Sequence, residues 1–322
     1  MFKFLLSLIL LLIVACEDAK SPTQTDPSIN SSLSGCTDEA ALNYNLDATE
    51  NDGSCEYPED IENTSWVFIA NEGTYGASNG SISMIDDNGD IYETDYIGDV
   101  VQSLEVYGDK LIVLINNSHM IKIYDITPDG LAMPGIEVYT NESSPRDLVV
   151  VDDKVYFTNW NTQDVKVFNL FSYNIEASIP IDGLPEDINF DGQNLWVTIP
   201  HSDSYFSIGS TVAKIDIELN SVLEVIEVGY GPQEIVFENG DIYISRTFYD
   251  DTWNAFHGTT KIGQEILVNN YGVGVVCGGS ILSYNNKIYR SFDNGIASLN
   301  QDLDINESDK VGNFNYSVYH AE

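Results

Sequence analysis

Three acidic residues occupy equivalent places along this chain and could hold a cation together. Asp147, Asp187 and Glu234 are 40 and 47 residues apart, and each is followed by an apolar residue. If the fold brings them to one opening, three carboxylates would repel one another unless a cation lay among them. Oxygen ligands of this kind suit Ca²⁺ or Mg²⁺, so these residues are a candidate calcium site. The alternative is structural: the carboxylates accept backbone amide hydrogen bonds and tie neighbouring repeats together.

An aromatic-rich segment, residues 247–258, is the second candidate site. Its sequence, TFYDDTWNAFHG, contains five ring side chains: Phe248, Tyr249, Trp253, Phe256 and His257. A similar segment, 200–210, carries His201, Tyr205 and Phe206. Exposed aromatic side chains on loops offer contact area to a glycan or a protein partner. The alternative is that these rings fold over and cover the sheet beneath them.

Other chemistries have little support in the sequence. The four His residues lie far apart, and no pair of them has the spacing of metal ligands. A Gly-rich phosphate loop in a strand–helix context does not occur. The chain has 13 Lys and Arg against 51 Asp and Glu, a formal net charge of −38. Such a surface repels phosphate, which argues against nucleic-acid binding.

A repeat of about 40 residues positions the candidate side chains. Each repeat opens with a polar residue followed by an apolar one, and we call this polar residue the starter residue. The starter residues are Ser103, Asp147, Asp187, Glu234 and Ser280. Eight residues after each of them a second strand begins with an apolar residue, and third and fourth short strands follow. Four short strands at this period predict one blade of an all-β propeller.

Part of this repeat resembles a known bacterial family. The strand VYFTNW (155–160), with Pro145, Pro185 and Pro232 ahead of three starter residues, resembles the YVTN repeat of bacterial β-propellers. The resemblance covers roughly residues 66–322 and implies a propeller, which we assign to residues 62–322. It implies no particular activity.

The ends of the repeat region predict the number of blades. Residues 66–97 supply three strands without a first one, and residues 316–319 supply a first strand with none after it. We expect this last strand to complete the first blade, giving six blades and no open edge. The alternative is a seven-bladed ring whose last blade is truncated. The starter residues, on the innermost strands, should then surround one mouth of the central channel.

The amino terminus predicts export and lipidation. Residues 1–15, MFKFLLSLILLLIVA, have one Lys and then an apolar run too short for a lasting transmembrane anchor, as in a signal peptide. The ending Ile13-Val14-Ala15-Cys16 resembles a bacterial lipobox, which implies cleavage before Cys16 and acylation of that residue. Residues 16–34 would then be a lipidated flexible tether. The expected location is the cell envelope, at the outer membrane or the cell surface.

A small cysteine module follows at residues 35–58. GCTDEAALNYNLDATENDGSCEY (35–57) resembles a GCTD…DGSC module of secreted proteins from Gram-negative bacteria. An exported chain passes an oxidising compartment, so this resemblance implies a disulfide between Cys36 and Cys55. Oxygen-bearing side chains near Asp52 invite a calcium interpretation, but the loop lacks the Gly and Glu of an EF-hand. Turn chemistry at Asn-Asp-Gly is the alternative.

Two functions from different classes fit these features, with a redox role a distant third. The favoured one is a lipid-anchored envelope propeller that binds or scaffolds a glycan or a protein without catalysis. The alternative is a calcium-dependent, lactonase-like hydrolase with the metal at the channel mouth, polarising the substrate carbonyl. Metal content would distinguish the two.

Overall fold

The computed structural model describes residues 33–38, 41, 43–55, 65–273, 279–292 and 295–312. The chain divides into two compact units, residues 1–61 and residues 62–322. The predicted signal peptide, Cys16, most of the predicted tether and the predicted closing strand at 316–319 lie outside the described residues. Within the described part of the chain, no helix is long and apolar enough to cross a membrane.

The first unit contains a disulfide between Cys36 and Cys55, whose Cα atoms are 4.7 Å apart. Two short strands, β1 (Ser34–Gly35) and β2 (Glu50–Asn51), pair in parallel beside it. The side chains of Asn51 and Asp52 accept hydrogen bonds from the amides of Gly53 and Ser54 at 2.9 and 3.0 Å. These are the bonds of Asx turns, so the Asn-Asp-Gly sequence forms a turn here.

The second unit is a β-propeller of six antiparallel sheets, which confirms the predicted fold class and blade number. The first three sheets contain, in chain order, β3 (Val67–Asn71), β4 (Ser81–Ile85) and β5 (Ile91–Glu93); β6 (Val101–Tyr107), β7 (Lys110–Ile115), β8 (Met120–Thr127), β9 (Gly130–Leu131) and β10 (Ile136–Tyr139); and β11 (Pro145–Val151), β12 (Lys154–Asn159), β13 (Asp164–Asn169) and β14 (Asn174–Pro180). In each sheet, strands that follow one another in sequence lie side by side, apart from β9, which pairs with β8 off the main path.

The remaining sheets repeat this order. They contain β15 (Ile188–Phe190), β16 (Asn194–His201), β17 (Ile208–Asp216) and β18 (Ser221–Glu227); β19 (Pro232–Glu238), β20 (Asp241–Tyr249), β21 (Ala255–Ile262) and β22 (Ile266–Val273); and β23 (Ile281–Tyr284), β24 (Lys287–Phe292) and β25 (Gly295–Ser298). A single-turn 3₁₀ helix, Glu307–Asp309, follows β25. Val311 then pairs with Ile296 of β25, so the chain returns along the outer side of this sheet.

The second strand of each blade explains why the sheets pack face to face. In β7 and β12 every residue after the first is buried, because neighbouring blades cover both faces of the strand. The outermost strand β14 alternates between exposed and more buried positions, as expected for a strand with one solvated face. Hydrophobic clusters therefore lie between consecutive blades. One of them joins Val165 and Ile179 of the third blade to Val197 and Ile215 of the fourth.

Candidate binding site at the channel mouth

The starter residues of successive blades are linked by hydrogen bonds in one repeating pattern. A carboxylate oxygen of Asp147 accepts the backbone amide of Ile188, which follows the next starter residue, at 3.1 Å. Asp187 accepts the amide of Ile235 at 2.7 Å in the same way. Each starter carboxylate therefore ties its own blade to the next one.

The two ends of this series involve serine. The Ser103 hydroxyl donates to Asp147 at 2.8 Å. Glu234 accepts both the amide of Ile281 at 3.0 Å and the Ser280 hydroxyl at 3.1 Å. Because the carboxylates satisfy backbone amides across blade boundaries, the arrangement agrees with the structural interpretation of these residues. Whether a cation also binds here stays a prediction.

A third interaction links two of the carboxyl groups directly. Asp147 and Asp187 are hydrogen-bonded to each other through their side chains. Burial raises the pKa of Asp187 well above its ordinary value, and the charges of Asp147 and Glu234 raise it further. Burial also raises the pKa of Asp147, against hydrogen bonds that lower it. Protonated Asp187 is therefore favoured as the donor of this bond, which removes one of three crowded negative charges.

A second set of hydroxyl groups, which we did not predict, anchors the starter residues from within each blade. The amides of four starter residues donate to a hydroxyl eleven residues later, at 2.9 to 3.0 Å. The accepting residues are Thr158, Thr198, Ser245 and Ser291. A search for Ser or Thr at a constant distance from the starter residues would have found them.

Arg146 extends the channel mouth toward the loops above it. Its guanidinium makes an ion pair with Glu186 at 2.5 Å and a hydrogen bond to Gln102 at 2.8 Å. It also lies over the ring of Trp160, 4.3 Å from the ring centroid, a cation–π contact. Arg146 thus connects the acidic channel mouth to an aromatic surface.

That surface is a continuous line of ring side chains that crosses three blades, and we call it the aromatic row. Its members are Trp160, His201, Tyr205, Phe206, Trp253 and Tyr249. Successive ring centroids are 5.6, 5.1, 5.5, 6.5 and 6.3 Å apart, in that order, within the range of favourable aromatic contacts. Four of them lie in the connections between second and third strands, and His201 and Tyr249 are the last residues of second strands, so all six lie on the same face as the starter residues.

The inner part of the row is sheltered and the outer part is exposed. Tyr205, Phe206 and Trp253 expose 58%, 78% and 70% of their surface. Below Tyr205, the Nε1 atom of Trp160 and the Nδ1 atom of His201 are shielded from solvent without a hydrogen-bond partner among the described residues. Burial lowers the pKa of His201, so its imidazole is neutral at neutral pH.

A short loop fixes the position of Trp253. The carboxylate of Asp250 accepts the amides of Thr252 and Asn254 at 2.8 and 2.9 Å, and also both of their side chains. These bonds, led by the one from the Asn254 side chain, lower the pKa of Asp250 to about 2. Trp253 itself has a φ of 63°, a left-handed conformation that is rare for a large side chain. The loop therefore holds an exposed ring in a defined place.

The remaining residues of the predicted segment 247–258 belong to strands rather than to a loop. β20 extends to Tyr249 and β21 begins at Ala255, so only five residues lie between them. Phe248 and Phe256 face each other across this hairpin, with stacked rings 5.4 Å apart. His257 is buried in β21, beside Thr247. Of the five predicted residues, the structure brings Tyr249 and Trp253 into the row.

Several solved structures are similar to this chain, at low sequence identity. No family model matches the sequence, and no curated protein matches it either. Hydrazine synthase of Kuenenia stuttgartiensis is similar in structure, with a TM-score of 0.56 and 17% identity over 69% of this chain and 71% of that one. A protein from Lactobacillus plantarum has a TM-score of 0.55 and 11% identity, covering 77% and 82% of the two chains.

A protein of unknown function from Bacteroides caccae is also similar. Its TM-score is 0.51 at 13% identity, over 80% of this chain and 97% of that one. The structural similarity shows that these proteins share the propeller fold. Sequence identities this low show nothing about activity.

Proposed function

We propose that this chain is a lipid-anchored protein of the bacterial cell envelope that binds a neutral glycan on the aromatic row. The lipobox-like sequence around Cys16 and the polar tether after it support the anchor. The observation that carries the binding role is the aromatic row itself, which crosses three blades beside the channel mouth. The proposed role is binding without catalysis.

The composition of the row suits a sugar. Each face of a pyranose ring presents C–H groups that pack on an aromatic ring. Its hydroxyl groups point outward and donate hydrogen bonds to acceptors at the edge of the contact. Tyr205, Phe206 and Trp253 offer exposed rings, and the exposed carboxylates of Asp203 and Asp251 lie on the same loops. A largely apolar contact with a few polar groups is the usual composition of a ligand site.

Charge and shape favour a neutral glycan over other partners. A formal net charge of −38 would repel an anionic polysaccharide. A stable protein partner needs roughly 800 Å² of contact on each side, whereas the row is a line one ring wide. A polysaccharide chain lying along the row could contact several rings in succession.

The loop around Trp253 should make binding more favourable. Immobilising a flexible side chain on binding costs roughly 0.5–1.5 kcal/mol, and a ring already held in place avoids part of that cost. The hydrogen bonds of Asp250 and the left-handed backbone at Trp253 provide such preorganisation.

Affinity electrophoresis of the full mature chain against neutral and anionic polysaccharides, followed by titration of the strongest binder, tests the proposal. We expect Trp253→Ala and Phe206→Ala each to weaken binding about tenfold, a loss of ~1.4 kcal/mol. Phe171→Ala is the matched control, because Phe171 is as exposed as Phe206, at 78%, but lies in a turn on the opposite face. Equal binding by all three variants would contradict the proposal.

Binding of a purified envelope protein, and of no polysaccharide, with the same dependence on the row would instead assign it to a protein partner. The calcium-dependent hydrolase remains the second candidate function. It would use the carboxyl groups of Asp147, Asp187 and Glu234, although no three acidic, His or Cys side chains are grouped as metal ligands among the described residues.

A further inference from the structure

A cavity of about 380 Å³ opens between the first two blades, on the face of the propeller opposite the aromatic row. It lies where the chain enters β3, at the turn between β4 and β5 and at the turn after β8. Its lining includes two aromatic rings, Trp66 and Tyr92, and three carboxylates, Asp86, Asp87 and Asp129. Neither Lys nor Arg is among its lining residues.

The two rings form a fixed corner. The centroids of Trp66 and Tyr92 are 5.7 Å apart, and the ring planes are inclined at 73°. The indole Nε1 of Trp66 donates to the carbonyl oxygen of Thr127 at 3.1 Å, which sets the plane of this ring. The second ring, Tyr92, lies close enough to Asp86 for the charge of that carboxylate to raise the pKa of its hydroxyl. A ligand in the corner would therefore meet two aromatic rings, one of them held by a hydrogen bond and the other next to a carboxylate.

The carboxylates are also held in place. Asp86 accepts the amides of Asn88 and Asp90, both at 2.9 Å, and these bonds keep its pKa below the ordinary value. Asp87 accepts the amide of Ser65 at 2.9 Å. Asp129 is exposed at the rim of the cavity. The charge of Asp86 is the main cause of the raised pKa of Tyr92, as expected where the potential is negative.

We propose that this cavity binds an organic ammonium group, such as the trimethylammonium group of choline. A cation over an aromatic ring is attracted by the ring's negative face, most strongly at Trp. The three carboxylates add long-range attraction, and no basic side chain in the lining opposes it. A weakly hydrated ammonium group with methyl substituents can use rings and carboxylates together.

A calcium ion fits this cavity less well. Ca²⁺ takes six to eight oxygen ligands, and aromatic walls supply none. Among the described residues, no three acidic, His or Cys side chains are grouped as metal ligands. Asp86 and Asp87 already accept backbone amides, which occupies part of their capacity as ligands. The proposal is independent of the glycan role, since the cavity lies on the other face of the molecule.

Calorimetric titration of the full mature chain with choline and with 3,3-dimethylbutan-1-ol, its uncharged isostere, tests the proposal. We expect choline to bind at least tenfold more tightly than the alcohol. Tyr92→Leu and Asp129→Asn should each weaken choline binding at least fivefold. Tyr284→Leu removes another exposed tyrosine, on a different blade, and should leave binding unchanged.

Three outcomes would overturn the proposal. They are no binding of choline, equal binding of choline and the alcohol, or calcium binding that displaces choline and is lost in Asp129→Asn. Thermal melting of each variant shows whether it is folded. A parallel titration with phosphocholine identifies the source of the ligand. Weaker binding than that of choline indicates a free ammonium compound, and equal or tighter binding indicates a phosphorylated headgroup; both rankings support the ammonium site.

Discussion

Two substitutions of the same kind at the channel mouth should affect stability differently. The raised pKa of Asp187 favours its protonated form, which donates to Asp147 and accepts the amide of Ile235 at 2.7 Å. Asparagine has the same shape, with one donor and one acceptor group in the same places. We therefore expect Asp187→Asn to keep both bonds and to leave the melting temperature at pH 7 unchanged or higher.

Asp147→Asn should be destabilising. The carboxylate of Asp147 accepts the Ser103 hydroxyl at 2.8 Å, the amide of Ile188 at 3.1 Å and the carboxyl group of Asp187. An amide nitrogen in place of one oxygen would face a donor, and an orphaned polar group costs about 1–3 kcal/mol. At about 2–4 °C per kcal/mol for a domain of this size, the melting temperature should fall by roughly 2–12 °C.

The pH dependence gives a second, independent readout. The pKa of Asp187 is higher in the folded state than in the unfolded state, where it is about 4. Between these two values the folded protein binds a proton that the unfolded chain releases, so wild-type stability is present at low pH and falls as pH rises. The Asp187→Asn variant lacks this loss. Its melting temperature relative to wild type should therefore increase between pH 4 and pH 7.

Thermal unfolding followed by circular dichroism, in buffer with a chelator, measures both effects. A fall in the melting temperature of Asp187→Asn at pH 7 as large as that of Asp147→Asn would refute a protonated Asp187. That result would mean that both carboxyl groups are ionised and that their mutual hydrogen bond contributes little.

Three further predictions concern the metal, the anchor and the ring. The starter carboxylates already bind one another and backbone amides, so we expect calorimetry to show no Ca²⁺ binding at the channel mouth. The control is the triple variant in which Asp147, Asp187 and Glu234 become Asn, Asn and Gln. Ca²⁺ binding by the wild type that disappears in this variant would favour the hydrolase. In cells fed labelled palmitate, wild type should incorporate label and Cys16→Ser should not, whereas equal labelling would argue against the lipobox interpretation. If residues 314–322 close the ring, their deletion should lower the melting temperature by several degrees, because the first blade would lose its inner strand and keep an open, apolar edge. An unchanged melting temperature would contradict closure.

The blades could be predicted because their pattern is local and repeats. Each second strand begins eight residues after a starter residue. This strand is buried on both faces and must therefore be apolar, so the pattern predicts where each blade lies in the sequence. The placement of Asp147, Asp187 and Glu234 in or directly before the first strands of successive blades followed from the same register. Their hydrogen bonds to the next blade agree with the structural alternative considered for them.

The aromatic row could be predicted only in part because it depends on how loops of different blades meet. Trp160 ends a predicted strand, and nothing in its local sequence indicates contact with His201, 41 residues later. Within 247–258 the hairpin continues beyond the usual strand length, so that His257 turns inward while Trp253 stays exposed. The cavity at Trp66 and Tyr92 likewise brings together a strand start and two turns that no spacing connects.

The indole N–H signals of the four Trp residues test most directly whether the aromatic row binds a glycan. In a ¹H–¹⁵N spectrum of the full mature chain, a bound neutral polysaccharide should shift the signals of Trp253 and Trp160. The signals of Trp196, whose Nε1 donates to Asp191, and of Trp66, in the cavity on the opposite face, should stay in place. Polysaccharide binding that leaves Trp253 and Trp160 unshifted would contradict the account.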